Sequence, residues 1–162
     1  MTILRPADRT DGPSLLRLTA RLAAFPVPGH RQATEIELAD HGILRRAFEE
    51  PAEDALLLVA DDPVGGIVGY IFVTTRADYF TGKPHGHVEI LTVASGQEGK
   101  GVGRALMDAA EAWSATRGYS QVTLNVFATN DRARAVYARL GYEPELVRYR
   151  KAIPPGEPRT DH

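Results

Sequence analysis

The sequence predicts a single α+β domain, a mixed and mostly antiparallel sheet with helices on both faces. Three observations lead there. Strand-like segments come first as a meander, and strand–helix alternation follows only in the second half. The 162 residues, 43% hydrophobic and 25% charged, suit one soluble core of ordinary size. There is no cysteine, so the core stands without disulfides, and Cys-ligated zinc, iron–sulfur clusters and a thiol nucleophile are excluded.

Thr2 to Arg5 reads as a short strand ended by Pro6. Asp11-Gly-Pro-Ser14 opens a helix with an acid at its cap and proline in its first turn. Leu15, Leu18, Thr19 and Leu22 carry it to about Ala24. Phe25-Pro-Val-Pro-Gly29 is then a rigid loop, whose Phe25 and Val27 either pack or line a pocket. Ile36, Ala39, Ile43 and Ala47 form the stripe of a second helix over Thr34–Glu49. Ala55–Ala60 and Ile67–Thr75 read as buried strands around an Asp62-Pro-Val-Gly turn, and His87–Val93 as a third. Val102, Ala105, Leu106, Ala109 and Trp113 mark an amphipathic helix closed by Gly118. Gln121–Phe127 alternates as a strand. A helix follows, capped by Thr129 or Asn130, with Ala133, Val136, Tyr137 and Leu140 as its stripe. Leu146–Lys151 is predicted as a final strand, and 154–162 as a frayed tail beyond a single domain over 1–153.

Charge is close to balanced, with 19 basic and 21 acidic residues, and no basic stripe points to nucleic acid. Nine carboxylates fall in 35–62 against Arg45 and Arg46. That stretch is either a solvated face or an acidic rim favouring a cationic substrate. No apolar run approaches a membrane span. The first residues carry Arg5, Asp8 and Arg9 without an apolar leader, so a cytoplasmic protein is expected. The five histidines show no metal-ligand spacing, so no metal is expected.

Glycines crowd Glu98-Gly-Lys-Gly-Val-Gly-Arg104, between a strand and a helix. Such a turn presents backbone N–H groups and the positive end of a helix dipole to an anion. It serves equally as a tight packing turn. A P-loop is excluded, because Gly99-Lys100 is followed by Gly101 rather than a hydroxyl. A dinucleotide fingerprint also fails, because its third glycine falls on Arg104.

Two motifs in order complete the reading. Glu98-x-x-Gly101-x-Gly103 follows the strand Glu89–Val93, and Asn130-x-x-Ala133-x-x-x-Tyr137 leads into Leu140-Gly141-Tyr142. From Val88 to Tyr142 the chain resembles the GNAT superfamily of acetyl-CoA-dependent N-acetyltransferases, and Ile3–Ala7 is similar to that family's first strand. The resemblance implies the GNAT fold, acetyl-CoA as cosubstrate, and direct transfer to a primary amine of a small molecule or protein. It implies cofactor contacts at Leu91, Thr92, Val93, Glu98, Gly99, Lys100, Gly101, Val102, Gly103, Arg104, Asn130 and Tyr137. Tyr137 matches the general acid and Glu89 the general base, with His85 and His87 as a proton relay or as surface-strand residues. Glu98 departs from the family's Arg or Gln; Lys100 and Arg104 are expected to offset its charge. A CoA-binding sensor or partner module without turnover is the alternative. The acceptor stays unidentified, and a homodimer is the default assembly.

Overall fold

The computed structural model describes residues 1–156. The strands are β1 (Ile3–Pro6), β2 (Leu56–Asp62), β3 (Gly66–Ala77), β4 (Pro84–Val93) and β5 (Val122–Leu124). The helices are α1 (Gly12–Thr19), α2 (Ala33–Glu49), α3 (Val102–Thr116) and α4 (Asp131–Arg139). Short 3₁₀ turns over Arg9–Asp11 and Ala20–Ala23 flank α1. The strands lie in the order β1-β2-β3-β4-β5, antiparallel throughout except that β5 runs parallel to β4. This is the mixed sheet with helices on both faces that the sequence predicts.

Alternation along the central strands builds two cores. Val59, Tyr70, Phe72 and Ile90 point to α1 and α2, where they meet Leu15, Leu18 and Leu44. Ala60, Ile71, Val73 and Val88 point to the other face, against Val102, Leu106, Met107 and Ala110 of α3. β1 is fixed near its end by Arg5, whose guanidinium donates to both Asp11 and Asp61 at 2.9 Å. That pairing holds the Asp11 carboxyl below its usual range.

β4 begins at Pro84, ahead of the predicted His87, and three larger differences from the sequence reading stand out. The first helix tightens to 3₁₀ after Thr19. β5 keeps only Val122–Leu124 of the predicted Gln121–Phe127. The predicted strand over Leu146–Lys151 is not part of the sheet: Leu146, Val147 and Tyr149 are 73%, 69% and 91% exposed. β-propensity measures fit to a half-buried pleated surface. The three-residue β5 offers little ladder, and Arg148, Arg150 and Lys151 disfavour a buried face. Of the predicted tail, residues 157–162 lie outside the described residues.

Candidate active site

β4 pairs with β3 along its length but meets β5 only over Gly86–Val88, opposite Val122–Leu124. Beyond Val88 its second edge is open. A bulge sets what faces that opening: Val88 pairs with Val73 and Ile90 with Phe72, leaving Glu89 as the extra residue. The Ala94 N–H donates to Val68 O of β3 at 2.7 Å. By alternation the peptide groups of Ile90 and Thr92 also face β3, and those of Leu91 and Val93 face the open edge. The Thr92 side chain is buried and donates to Leu18 O at 3.2 Å, tying β4 to α1.

The glycine turn leads from this open edge into α3. Gly96, Gly99 and Gly101 have φ of 80, 76 and 85°, conformations that need glycine. A Cβ at any of them would meet nothing within 4 Å, so the space over the turn is free. No side chain caps α3, and its first internal bond runs from Ala105 N–H to Gly101 O. The N–H groups of Val102, Gly103 and Arg104 therefore lack helical partners. This geometry fits a phosphate group. α3 sits close on the sheet because Gly69 lies beneath it; a Cβ there would be 2.9 Å from Thr92 O and 3.2 Å from Val102 Cγ1.

Glu98 is not a bare carboxylate at this turn. It accepts from the Arg21 guanidinium at 2.5 Å and from the Gly96 N–H at 2.9 Å, with Arg132 of α4 at 3.7 Å. The Arg21 bond first, then the backbone N–H groups of Glu98 itself and of Gly96, hold its pKa at about 2. Arg21 also donates to Val93 O. Lys100 and Arg104, expected to offset the charge, are exposed and form no ion pair with Glu98.

Glu89 faces the α1–α2 side, where it accepts from Thr74 Oγ1 at 2.7 Å and from Arg76 at 2.7 and 2.9 Å. The carboxylate matched to the general base is thus paired with a guanidinium. His85 and His87, on the same face, are 7% and 5% exposed, so neither is a surface-strand residue. Thr123 Oγ1 of β5 lies between them, 3.0 Å from His85 Nε2 and 2.7 Å from His87 Nδ1. Burial, then the charge of Arg76, lower the His87 pKa to about 4, leaving a neutral ring.

A cavity of about 810 Å³ opens beside Glu89, between α2 and the sheet. Its charged lining is Asp8, Glu50 and Glu89 against Arg9, Arg46 and Arg76. The acidic residues of 35–62 therefore do not give this cavity an acidic wall; of them only Glu50 lines it. Phe25 of the loop after α1 stacks on Phe127 beyond β5, centroids 5.2 Å apart. That contact answers the loop's alternatives: Phe25 packs.

Tyr137, on α4, packs against the α3-side core, and its ring meets Tyr142 edge-on at 6.1 Å. Burial alone raises its pKa, which keeps the phenol protonated. Asn130 caps α4 by accepting from Ala133 N–H at 3.2 Å. Among the described residues no cluster of His, Asp or Glu is suited to a metal ion.

Residues 18–142 match the model of the acetyltransferase (GNAT) family. The chain belongs to that family. Members of the GNAT family use acetyl-CoA. The chain is 39% identical over 97 residues to a mycothiol acetyltransferase of Propionibacterium freudenreichii, covering 60% of this chain and 30% of that protein. It spans about a third of the length of the mycothiol acetyltransferases it matches first. To an aminoglycoside N(6′)-acetyltransferase type 1 of Stenotrophomonas maltophilia it is 30% identical over 146 residues, 79% of this chain and 95% of that one. Among solved structures, AAC(6′)-Iy in complex with the bisubstrate analogue CoA-S-monomethyl-acetylneamine is 23% identical, with TM-score 0.65 over 94% of this chain and 99% of that one. That likeness speaks for the shared GNAT fold.

The structure thus gathers Leu91, Val93, the Gly99–Arg104 turn and Glu98 at one opening. Sequence reasoning missed Arg21, Arg76, Arg132 and Thr123. Their partners lie 77, 13, 34 and 36 residues away, and no local pattern links them. The Glu89 bulge was unreadable for another reason: strict alternation places neighbours on opposite faces, and the bulge breaks it.

Proposed function

We propose that this GNAT-family chain transfers the acetyl group of acetyl-CoA directly to a primary amine while both are bound. One observation carries the reading: the open edge of β4 at Leu91 and Val93 runs straight into the uncapped start of α3. The cosubstrate brings an activated acetyl thioester. The amides of Val102, Gly103 and Arg104 hold its phosphates, and the peptide groups of Leu91 and Val93 align its arm and polarise the carbonyl. Tyr137 stays protonated at neutral pH and gives its proton to the departing thiolate.

Glu89 is already paired with Arg76. Its role is to draw the acceptor's ammonium, which releases one proton to water to give the free amine, and then to take a second proton as that nitrogen attacks and its remaining N–H protons become strongly acidic. The names of the relatives, mycothiol and aminoglycoside acetyltransferases, support a small polar amine as acceptor. The large cavity lined by Glu89 and Arg76 supports the same class.

The test is thiol release from acetyl-CoA across a panel of small amines, amino sugars and peptides. A chain without cysteine adds no background. Amine-dependent release with at least one small amine is the expected result. CoA binding without release above the spontaneous rate for any amine would contradict turnover and leave a binding module. If Glu89→Gln moves no limb of the pH–rate profile, the proton acceptor lies elsewhere, with His87 next in line.

A further inference from the structure

The carboxylate at 98 stands at the mouth of the glycine turn, and by charge alone it opposes the binding of an anion there. Its partners reverse that expectation. Glu98 binds Arg21 from the 3₁₀ turn after α1, the Gly96 amide within the turn, and Arg132 from the first turn of α4. One carboxylate against two guanidiniums leaves this corner net cationic. Neither arginine belongs to the turn itself. Each comes from a different element, and Glu98 is where they meet. Arg21 also bonds the Val93 carbonyl, so one guanidinium joins the open β4 edge to the turn.

We propose that Glu98 is a positioning residue that holds Arg21 and Arg132 over the glycine turn, so that two guanidiniums from outside the turn meet the diphosphate of CoA. The inference rests on the acetyl-CoA reading above and deepens it. The diphosphate takes charge-assisted hydrogen bonds from planar guanidiniums, which suit phosphate geometry better than a lysine does. Because the pair with Glu98 fixes the Arg21 side chain beforehand, less rotamer freedom is lost on binding.

The experiment compares wild type, E98Q, R21M, the E98Q/R21M double variant and E98R. Affinity for CoA and for dephospho-CoA is measured by calorimetry, and kcat/KM with S-acetylpantetheine, which has no diphosphate, by thiol release with an active amine. E98Q is expected to weaken CoA and dephospho-CoA alike by about tenfold, with S-acetylpantetheine unchanged. R21M weakens CoA and dephospho-CoA to the same extent; because it also frees the Val93 carbonyl, the S-acetylpantetheine control is read in E98Q, and the double variant binds CoA no worse than either single one. In E98R the cation stands at 98 itself, so adding R21M costs nothing there.

Unchanged or tighter CoA binding in E98Q overturns the proposal, because the carboxylate would then act as a simple repulsive charge. A loss shared by S-acetylpantetheine also overturns it, since Glu98 would then only shape the turn. A loss for CoA but not for dephospho-CoA assigns the arginines to the 3′-phosphate and refutes the diphosphate contact. A wild-type chain that binds no CoA at all removes the acetyl-CoA reading itself, and this inference with it.

Discussion

Replacing His87 with glutamine removes a buried titrating ring and keeps a side chain able to hydrogen-bond Thr123. In the folded chain burial, then Arg76, bring the His87 pKa from 6.5 to about 4, and Glu89 and His85 also face it. Between those values the unfolded chain binds a proton that the folded chain refuses. Stability must therefore fall as pH drops from about 6.5 to about 4, and the difference is constant below that window. The full drop corresponds to about 3 kcal/mol at 1.36 kcal/mol per pH unit. Residual solvent screening brings the expected penalty to about 1–2 kcal/mol. Asp40, raised to about 6 by burial, acts in the opposite direction, but it is present in both proteins and cancels. The assay is urea denaturation of wild type and H87Q at several pH values from 7.5 to 4. The H87Q curve should gain about 1–2 kcal/mol on wild type towards pH 4. Parallel curves, or a His87 ring in wild type that titrates by NMR at 6.5 or above, would refute the reasoning.

Tyr137→Phe should lower kcat by about 10²-fold, within the range of acid–base catalysis, and leave KM for acetyl-CoA unchanged; full activity would remove the tyrosine from the chemistry. Gly101→Ala forces a side chain into φ 85°, at about 1–2 kcal/mol, and should also raise KM for acetyl-CoA. Gly118→Ala, at φ 76° beyond the far end of α3, should cost similar stability and leave KM alone, so equal KM effects would contradict a cofactor role for the turn. Gly69→Ala places a Cβ 2.9 Å from Thr92 O and should destabilise by about 1–3 kcal/mol in denaturant titrations. A loss below about 0.5 kcal/mol, the size of an ordinary surface change, would contradict the close seating of α3.

The parts of this molecule legible in the sequence are those written locally. The period of Val102, Leu106 and Ala109 gives α3, and β-branched runs give β3 and β4. The crowding of Gly96, Gly99 and Gly101 marks the turn, because positive φ leaves its trace in residue type. The segment over Leu146–Lys151 shows the limit of that rule. It has strand composition but no ladder, and pairing depends on a partner the local sequence does not describe. The electrostatics were least legible of all. Glu98 and Glu89 differ from bare carboxylates chiefly through Arg21 and Arg76, and the fold alone brings those partners near.

The claim beneath all of these is that the β4 edge and the glycine turn hold acetyl-CoA, and calorimetric titration of the purified chain with acetyl-CoA tests it most directly. The account predicts saturable binding at one site per chain, at micromolar concentrations of cofactor. Absence of binding at millimolar acetyl-CoA would make the turn a packing device and contradict the account.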